Sequence, residues 1–196
     1  MRPTSDTEIR AALHRKKFRA LSTRSDTLII DELGLAHAKV RIDIAVINGS
    51  IHGFEIKSAA DTLARLPKQL ATYEECLEML TIVCADKHVP EVRKLAPSWC
   101  GILKVSQGPR GAIEFTTLRA SKKNPNVRAY RLAHLLWRPE AVAVLTRLNA
   151  SPQLLRRPRK QLYKSLATLL TIPQMTAYIK DFMAIRQAWR DLPTRA

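Results

Sequence analysis

The sequence predicts an α/β or α+β core over residues 1–118 and a basic helical domain over 119–196. Three observations carry this. The apolar pattern runs helix, three strands, helix, strand, late strands, then helices alone, which is the order of a layered sheet followed by a helical tail. Of 196 residues, 46% are hydrophobic and 26% charged, which supports a packed core and excludes wholesale disorder. The charge is unevenly divided. Residues 1–118 carry 17 basic and 14 acidic side chains, against 16 and 3 in 119–196, so the second segment holds +13 of the net +16.

Each element has a local signal. Ser5 and Glu8 have capping-box spacing, and Ile9, Ala12, Leu13 and Leu21 form an apolar stripe, predicting a helix over 5–21. Thr27–Leu33 reads as a strand that Gly34 should end. Val40–Ile47 alternates with period two, Asn48-Gly49 is a hairpin turn signal, and Ile51–Lys57 is the return strand. Asp61 is a candidate N-cap, and Pro67 suits the first turn of a helix reaching about Leu80. Thr81–Ala85 reads as a buried strand, Pro90–Leu95 as a helix, and Gly101–Val105 and Ile113–Leu118 as late strands. Gly108-Pro109-Arg110-Gly111 is a turn. Residues 121–126 read as a linker, followed by helices over 129–137, 139–149, about 159–170 and 173–190. Trp137 and Trp189 are expected in the core.

No apolar run approaches the roughly 20 residues needed to cross a bilayer. Basic N-terminal residues lack the apolar segment of a signal peptide behind them. Cys76, Cys84 and Cys100 cannot pair completely and have no metal-binding spacing. A reducing cytoplasm, with no membrane partner, is the expected setting. The basic excess calls for a polyanion, and nucleic acid is the usual one.

The hairpin concentrates the chemistry. Simple alternation places Val40, Ile42, Ile44 and Val46 on one face, and Phe54 and Ile56 on one face of the return strand. Arg41, Asp43, Glu55 and Lys57 are left for the opposite, charged face. A two-residue loop would put Asp43 and Glu55 on opposite faces. A three-residue loop over 47–49, with Gly49 left-handed, pairs 43 with 53 and 41 with 55. Asp43 and Glu55 then become diagonal neighbours roughly 7–8 Å apart, with room for one divalent ion.

An Asp, then Glu-x-Lys a dozen residues later across a hairpin, then Gln69-x-x-x-Tyr73 on the next helix, resembles the PD-(D/E)XK nuclease superfamily, in its RecB-like branch. The stretch Leu28–Tyr73, with Leu135-Leu136-Trp137-Arg138 and Arg186…Trp189, looks like a small prokaryotic family of that fold. Asp43 is preceded by Ile42 rather than by proline. The resemblance implies a restriction-endonuclease-like core of helix, three-stranded meander, helix and strand. It implies a Mg²⁺-dependent nuclease acting on DNA, with Mn²⁺ able to substitute. Asp43, Glu55 and the Ile56 carbonyl would hold the metal, with Glu32 as a third carboxylate. Lys57 would orient or deprotonate the attacking water, and Gln69 and Tyr73 would position the lysine, a carboxylate or the DNA. The alternative is a catalytically idle nuclease-fold protein that binds nucleic acid or a protein partner.

Arg156-Arg157-Pro158-Arg159-Lys160 is the densest basic run and, with Arg41, is the expected phosphate contact. A homodimer is left open.

Overall fold

The computed structural model describes residues 4–108 and 110–188, together with the backbone but not the side chains of 189 and 190. Pro109 and the Trp189 side chain lie outside that description. The chain is a mixed α/β structure around a six-stranded sheet of order β1-β2-β3-β4-β5-β6.

Helix α1 (Asp6–Leu13) begins with the expected capping box, the Glu8 carboxylate accepting from the Ser5 amide and the Glu8 amide donating to Ser5 Oγ. A π-helical turn (His14–Phe18) and a short α2 (Arg19–Ser22) continue it. Strands β1 (Leu28–Leu35), β2 (Val40–Ile47) and β3 (Ile51–Lys57) form an antiparallel meander. Gly34 does not end β1, because the ladder continues to Leu35 opposite Val40. After α3 (Leu66–Cys76), β4 (Met79–Ala85) returns parallel to β3. After α4 (Val89–Leu95), β5 (Gly101–Gln107) lies parallel to β4, and β6 (Ile113–Arg119) closes the sheet antiparallel to β5. The turn before β6 is closed by the Gly111 amide on the Gly108 carbonyl at 2.9 Å.

Helix α3 is shorter than expected. Leu77 is already extended and Glu78 donates its amide to the Ile51 carbonyl, so pairing with β3 takes the chain out of the helix. Asp61 does not cap it. Its carboxylate accepts from the amide and hydroxyl of Ser58, at 2.7 and 2.6 Å, and fixes the turn leaving β3.

Two features of the meander depart from simple alternation. The first is register. Ile47 pairs with Ile51 and Ala45 with Gly53, so the odd loop is Asn48-Gly49-Ser50, one position later than expected. Gly49 supplies the left-handed residue, with φ 85°. The second is a change of face at the Glu32/Asp43 position. Leu28 and Ile30, but then Leu33 and Leu35, pack into one apolar cluster; in β2, Val40 and Ile42 join it, but then Ala45 and Ile47. Ile44 and Val46 face the other way, against Ile9, Leu13 and Phe18. Glu32 has φ 56°, and this left-handed residue turns the strand over without altering the pairing count. Val40, Ile42, Ile44 and Val46 therefore do not share a face, and neither face of the sheet is given over to surface charge.

Helices α5 (Ala129–Ala133), α6 (Arg138–Arg147), α7 (Pro152–Leu155), α8 (Arg159–Leu169) and α9 (Ile172–Arg190) complete the chain. Helix α5 stops at Ala133, short of the expected 137, and α7, capped by Ser151, has no counterpart in the sequence reading. Leu132, Leu136, Leu145, Leu162 and Leu166 join Leu33, Leu70 and Tyr73 in one apolar cluster, so these helices cover the sheet face that carries α3. The 121–126 segment is tied down by Asn124, which is buried and donates to the Glu74 and Leu77 carbonyls, both at 2.7 Å.

Candidate active site

The site is built at the end of β3, where the meander opens. The β2–β3 ladder runs from Ile47 opposite Ile51 to Ile44 opposite Phe54. One step further, the register sets Asp43 opposite Glu55 instead of diagonal to it. There the Ile56 amide is taken by Asp43 Oδ2 at 2.6 Å, so a side chain replaces the next backbone acceptor. Glu55 and Lys57, two apart on a strand, point to the same face, towards α3.

Glu55 is 2% exposed and Lys57 6%. Burial of two ionic groups is tolerated only when they are paired and their remaining hydrogen-bonding capacity is met. Lys57 Nζ donates to Glu55 Oε1 at 2.7 Å and to Gln69 Oε1 at 3.1 Å. Gln69 Nε2 donates to Glu55 Oε1 at 2.6 Å and to Tyr73 Oη at 3.3 Å. The Tyr73 hydroxyl donates to Glu55 Oε2 at 2.5 Å, with the Arg41 carbonyl 2.9 Å away. Gln69 and Tyr73 reach the same carboxylate because positions i and i+4 share a helix face. Burial, then the charge of Glu55, raises the Tyr73 phenol far above its ordinary range, so it remains a donor.

Asp43 is the strained member. Burial, and then repulsion from Glu55, raises its carboxyl from 3.8 to about 7, against the opposing effects of the Ile56 amide and Arg10. Arg10 of α1 was not singled out by the sequence. Its Nη1 donates to the Asp43 carbonyl at 2.6 Å, and its Nη2 lies 3.4 Å from Asp43 Oδ1 and 2.7 Å from Glu32 Oε1. The only local signal for Arg10 is Asp6, four residues before it, and that pairing says nothing about β2.

The structure thus brings Asp43, Glu55, Lys57, Gln69 and Tyr73 together. Glu32 stays on the rim, where Arg10 and, at 3.8 Å, Arg41 approach its carboxylate. Among the described residues, no three His, Cys, Asp or Glu side chains converge as a ligand set. The donor chemistry nevertheless suits a divalent cation. Glu55 repels Asp43, whose carboxyl is raised to about 7, and a cation shared by the two would remove that repulsion. Arg156, Arg157, Arg159 and Lys160 are all exposed, between α7 and the first turn of α8. The three cysteines are free and buried, with thiols raised to about 11 or 12, mainly by burial. Trp137, expected in the core, is 59% exposed, because α5 ends before it and it stands at the N-cap of α6.

The family model of bacteriophage P4 protein cII matches residues 3–190, nearly the whole chain. The chain belongs to the bacteriophage P4 protein cII family. Protein cII of Enterobacteria phage P4 is 38% identical to it over 98 residues, which cover 50% of this chain and 37% of that protein. The matched stretch therefore spans little more than a third of the relative's length. No solved structure gives a significant match. Among the described residues of this cII-family chain, no helix is long and apolar enough to cross a membrane.

Proposed function

We propose that this cII-family protein is a metal-dependent nuclease of the PD-(D/E)XK type that hydrolyses phosphodiester bonds in DNA. The observation that carries the reading is the buried cluster of Glu55, Lys57, Gln69 and Tyr73 beside Asp43, at the point where a three-stranded meander opens next to the following helix. A structural ion pair needs one partner for Glu55. Here three donors converge on it, and a second carboxylate is left next to it at the cost of its own ionisation.

Asp43 and Glu55, with the Ile56 carbonyl, would hold Mg²⁺ or Mn²⁺. When bound, the cation supplies a Lewis acid that offsets the charge of the phosphodiester. The protein's own groups do the rest. Gln69 and Tyr73 fix the Glu55 carboxylate in one orientation, and Gln69 also fixes Lys57 Nζ. Lys57 Nζ, held by Glu55 and Gln69, would stand as a hydrogen-bond donor beside the reacting phosphate. The burial of Glu55 and Lys57 limits water around these groups and strengthens their electrostatics.

One observation favours the second reading, a catalytically idle protein that binds nucleic acid or a protein partner. Arg10 already supplies positive charge to Asp43 and Glu32. Incubation with plasmid, linear duplex, single-stranded DNA and RNA, in Mg²⁺, Mn²⁺ or EDTA, separates the two. Cleavage that requires the cation supports the nuclease; tight binding with no cleavage in any metal supports the idle protein.

A further inference from the structure

Asp43 is the residue of β2 that neither ladder pairs. On the β1 side the register passes from Leu33 opposite Ile42 to Asp31 opposite Ile44, and left-handed Glu32 lies between them. On the β3 side the pairing reaches Ile44, opposite Phe54, and stops. The polar groups of Asp43 need other partners, since an unmet backbone carbonyl at a part-buried position is costly. Arg10 supplies one: its Nη1 donates to the Asp43 carbonyl at 2.6 Å.

Arg10 reaches Asp43 from the opposite side of the sheet to the rest of the cluster. Helix α1 packs through Ile9, Ala12 and Leu13 with Ile44, Val46 and Ile56. Gln69 and Tyr73 reach Glu55 from α3, on the other face. The two carboxylates are therefore held by different helices, Glu55 by α3 and Asp43 by α1.

The two arms of the guanidinium have different partners. Nη1 takes the main chain of Asp43. Nη2 has two hydrogens and three carboxylates near it, Glu32 at 2.7 Å, Asp6 at 3.2 Å and Asp43 Oδ1 at 3.4 Å. The two shorter contacts use both hydrogens, and Asp43 Oδ1 is left at the limit of hydrogen bonding. Asp43 Oδ2 is already taken by the Ile56 amide at 2.6 Å. Arg10 thus grips Asp43 by its backbone and leaves Oδ1 with acceptor capacity to spare. The charge of Arg10 is meanwhile met by Glu32 and Asp6.

We propose that Arg10 is the positioning residue of the cation site. It holds Asp43 by the main-chain carbonyl, is itself anchored on Glu32 and Asp6, and so keeps Asp43 Oδ1 available to a divalent cation shared with Glu55. Glu32 then acts through Arg10 and is not a cation ligand. The inference rests on the metal-site part of the functional reading. It also opposes the view of Arg10 as a countercharge that stands in the place of a cation. A placeholder competes with the cation, whereas a positioning residue helps it to bind.

The test measures Mn²⁺ binding by isothermal titration calorimetry, without DNA, for wild type, Arg10→Gln, Arg10→Lys, Glu32→Gln and Asp43→Asn, each shown to be folded by circular dichroism. Arg10→Gln removes the charge and Arg10→Lys keeps it. Neither supplies the fork that meets the Asp43 carbonyl and Glu32 at once. Both should weaken Mn²⁺ binding by about 10–100-fold, the usual loss when a group that supports a metal ligand is removed. Glu32→Gln, a second variant at a separate position, keeps an acceptor for Nη2 and should bind Mn²⁺ nearly as wild type does. Amide exchange at Ile56 gives a reading that needs no metal. It should quicken in both Arg10 variants, because the carboxylate that accepts this amide is no longer held. Mn²⁺ bound as tightly or more tightly by Arg10→Gln, or unchanged exchange at Ile56, would overturn the positioning role while the metal site stands. A loss in Glu32→Gln as large as in Asp43→Asn would make Glu32 a ligand and overturn it too. No Mn²⁺ binding by the wild type would instead sink the metal-site reading itself, and the inference with it.

Discussion

Asp43 concentrates the residue-scale consequences. Its folded carboxyl holds a proton to about pH 7, whereas an unfolded one releases it near 3.8. Between those values the folded state binds more protons, so this group's contribution makes stability fall as pH rises, and its full penalty is present above about 7. Asp43→Asn keeps an acceptor for the Ile56 amide and removes the charge. The variant should match wild type near pH 4 and melt several degrees higher at pH 8, a gain on the order of 1–4 kcal/mol. Thermal unfolding of both proteins across pH 4–8 without metal checks this; a constant difference would remove the strained carboxylate from the account. Mn²⁺ should raise the wild-type midpoint at pH 8 and not that of Asp43→Asn. Tyr73→Phe offers a second check. It removes the 2.5 Å donor to Glu55 and leaves the ring packed, so it should cost about 1–3 kcal/mol of stability. A neutral result in urea unfolding would mean that the hydroxyl does not hold the carboxylate.

At the scale of elements, the β2–β3 hairpin shows what was legible and what was not. Strict alternation and Asn48-Gly49 located both strands to the residue, and the requirement for an odd loop was met. The register came out two residues away because the loop is 48–50, and turn chemistry alone does not choose between neighbouring three-residue loops. The change of face at Glu32/Asp43 was invisible, since a glutamate in the left-handed region has no sequence signature. The short α3 has a similar cause: helical periodicity continued through Leu77 and Leu80, but pairing with β3 captured that stretch as strand. Gly49 tests the loop. At φ 85° and with nothing near its missing Cβ, Gly49→Ala should cost about 1 kcal/mol through backbone strain, and Gly49→Asn less. That corresponds to a shift of about 2–4 °C in midpoint. Equal stability of the three proteins would place the loop elsewhere.

At the scale of the whole molecule, the charge division was read from composition, but not where the charges would stand. That Asp43, Glu55, Lys57, Gln69 and Tyr73 would lie together was legible because their spacing is local in sequence. Arg10 was not, because its contacts with Asp43 and Glu32 span 33 and 22 residues and depend on α1 crossing the sheet. Trp137 was expected inside because its neighbours Leu135 and Leu136 are apolar, yet only those two are buried. The residues of the basic run at 156–160 are all exposed, as a phosphate-binding surface must be. Replacing Arg156, Arg157, Arg159 and Lys160 with Gln should flatten the slope of log affinity against log salt by up to about 3–4 for duplex DNA. Salt titrations in Ca²⁺ measure it, and parallel slopes would show that this surface does not grip the backbone.

The central claim is that the buried cluster around Glu55 cuts phosphodiesters, and Lys57 tests it most directly. Lys57→Ala leaves Gln69 and Tyr73 donating to Glu55 but removes its charged partner, so circular dichroism and a melting curve establish that the variant is folded before its activity is read. Plasmid cleavage in Mg²⁺ is measured beside DNA affinity in Ca²⁺ for wild type and variant. The account predicts cation-dependent cleavage by the wild type and its loss, by about 100-fold or more, in Lys57→Ala, at nearly unchanged affinity. Wild-type rates in the variant, or no cleavage by the wild type in any metal, would contradict it.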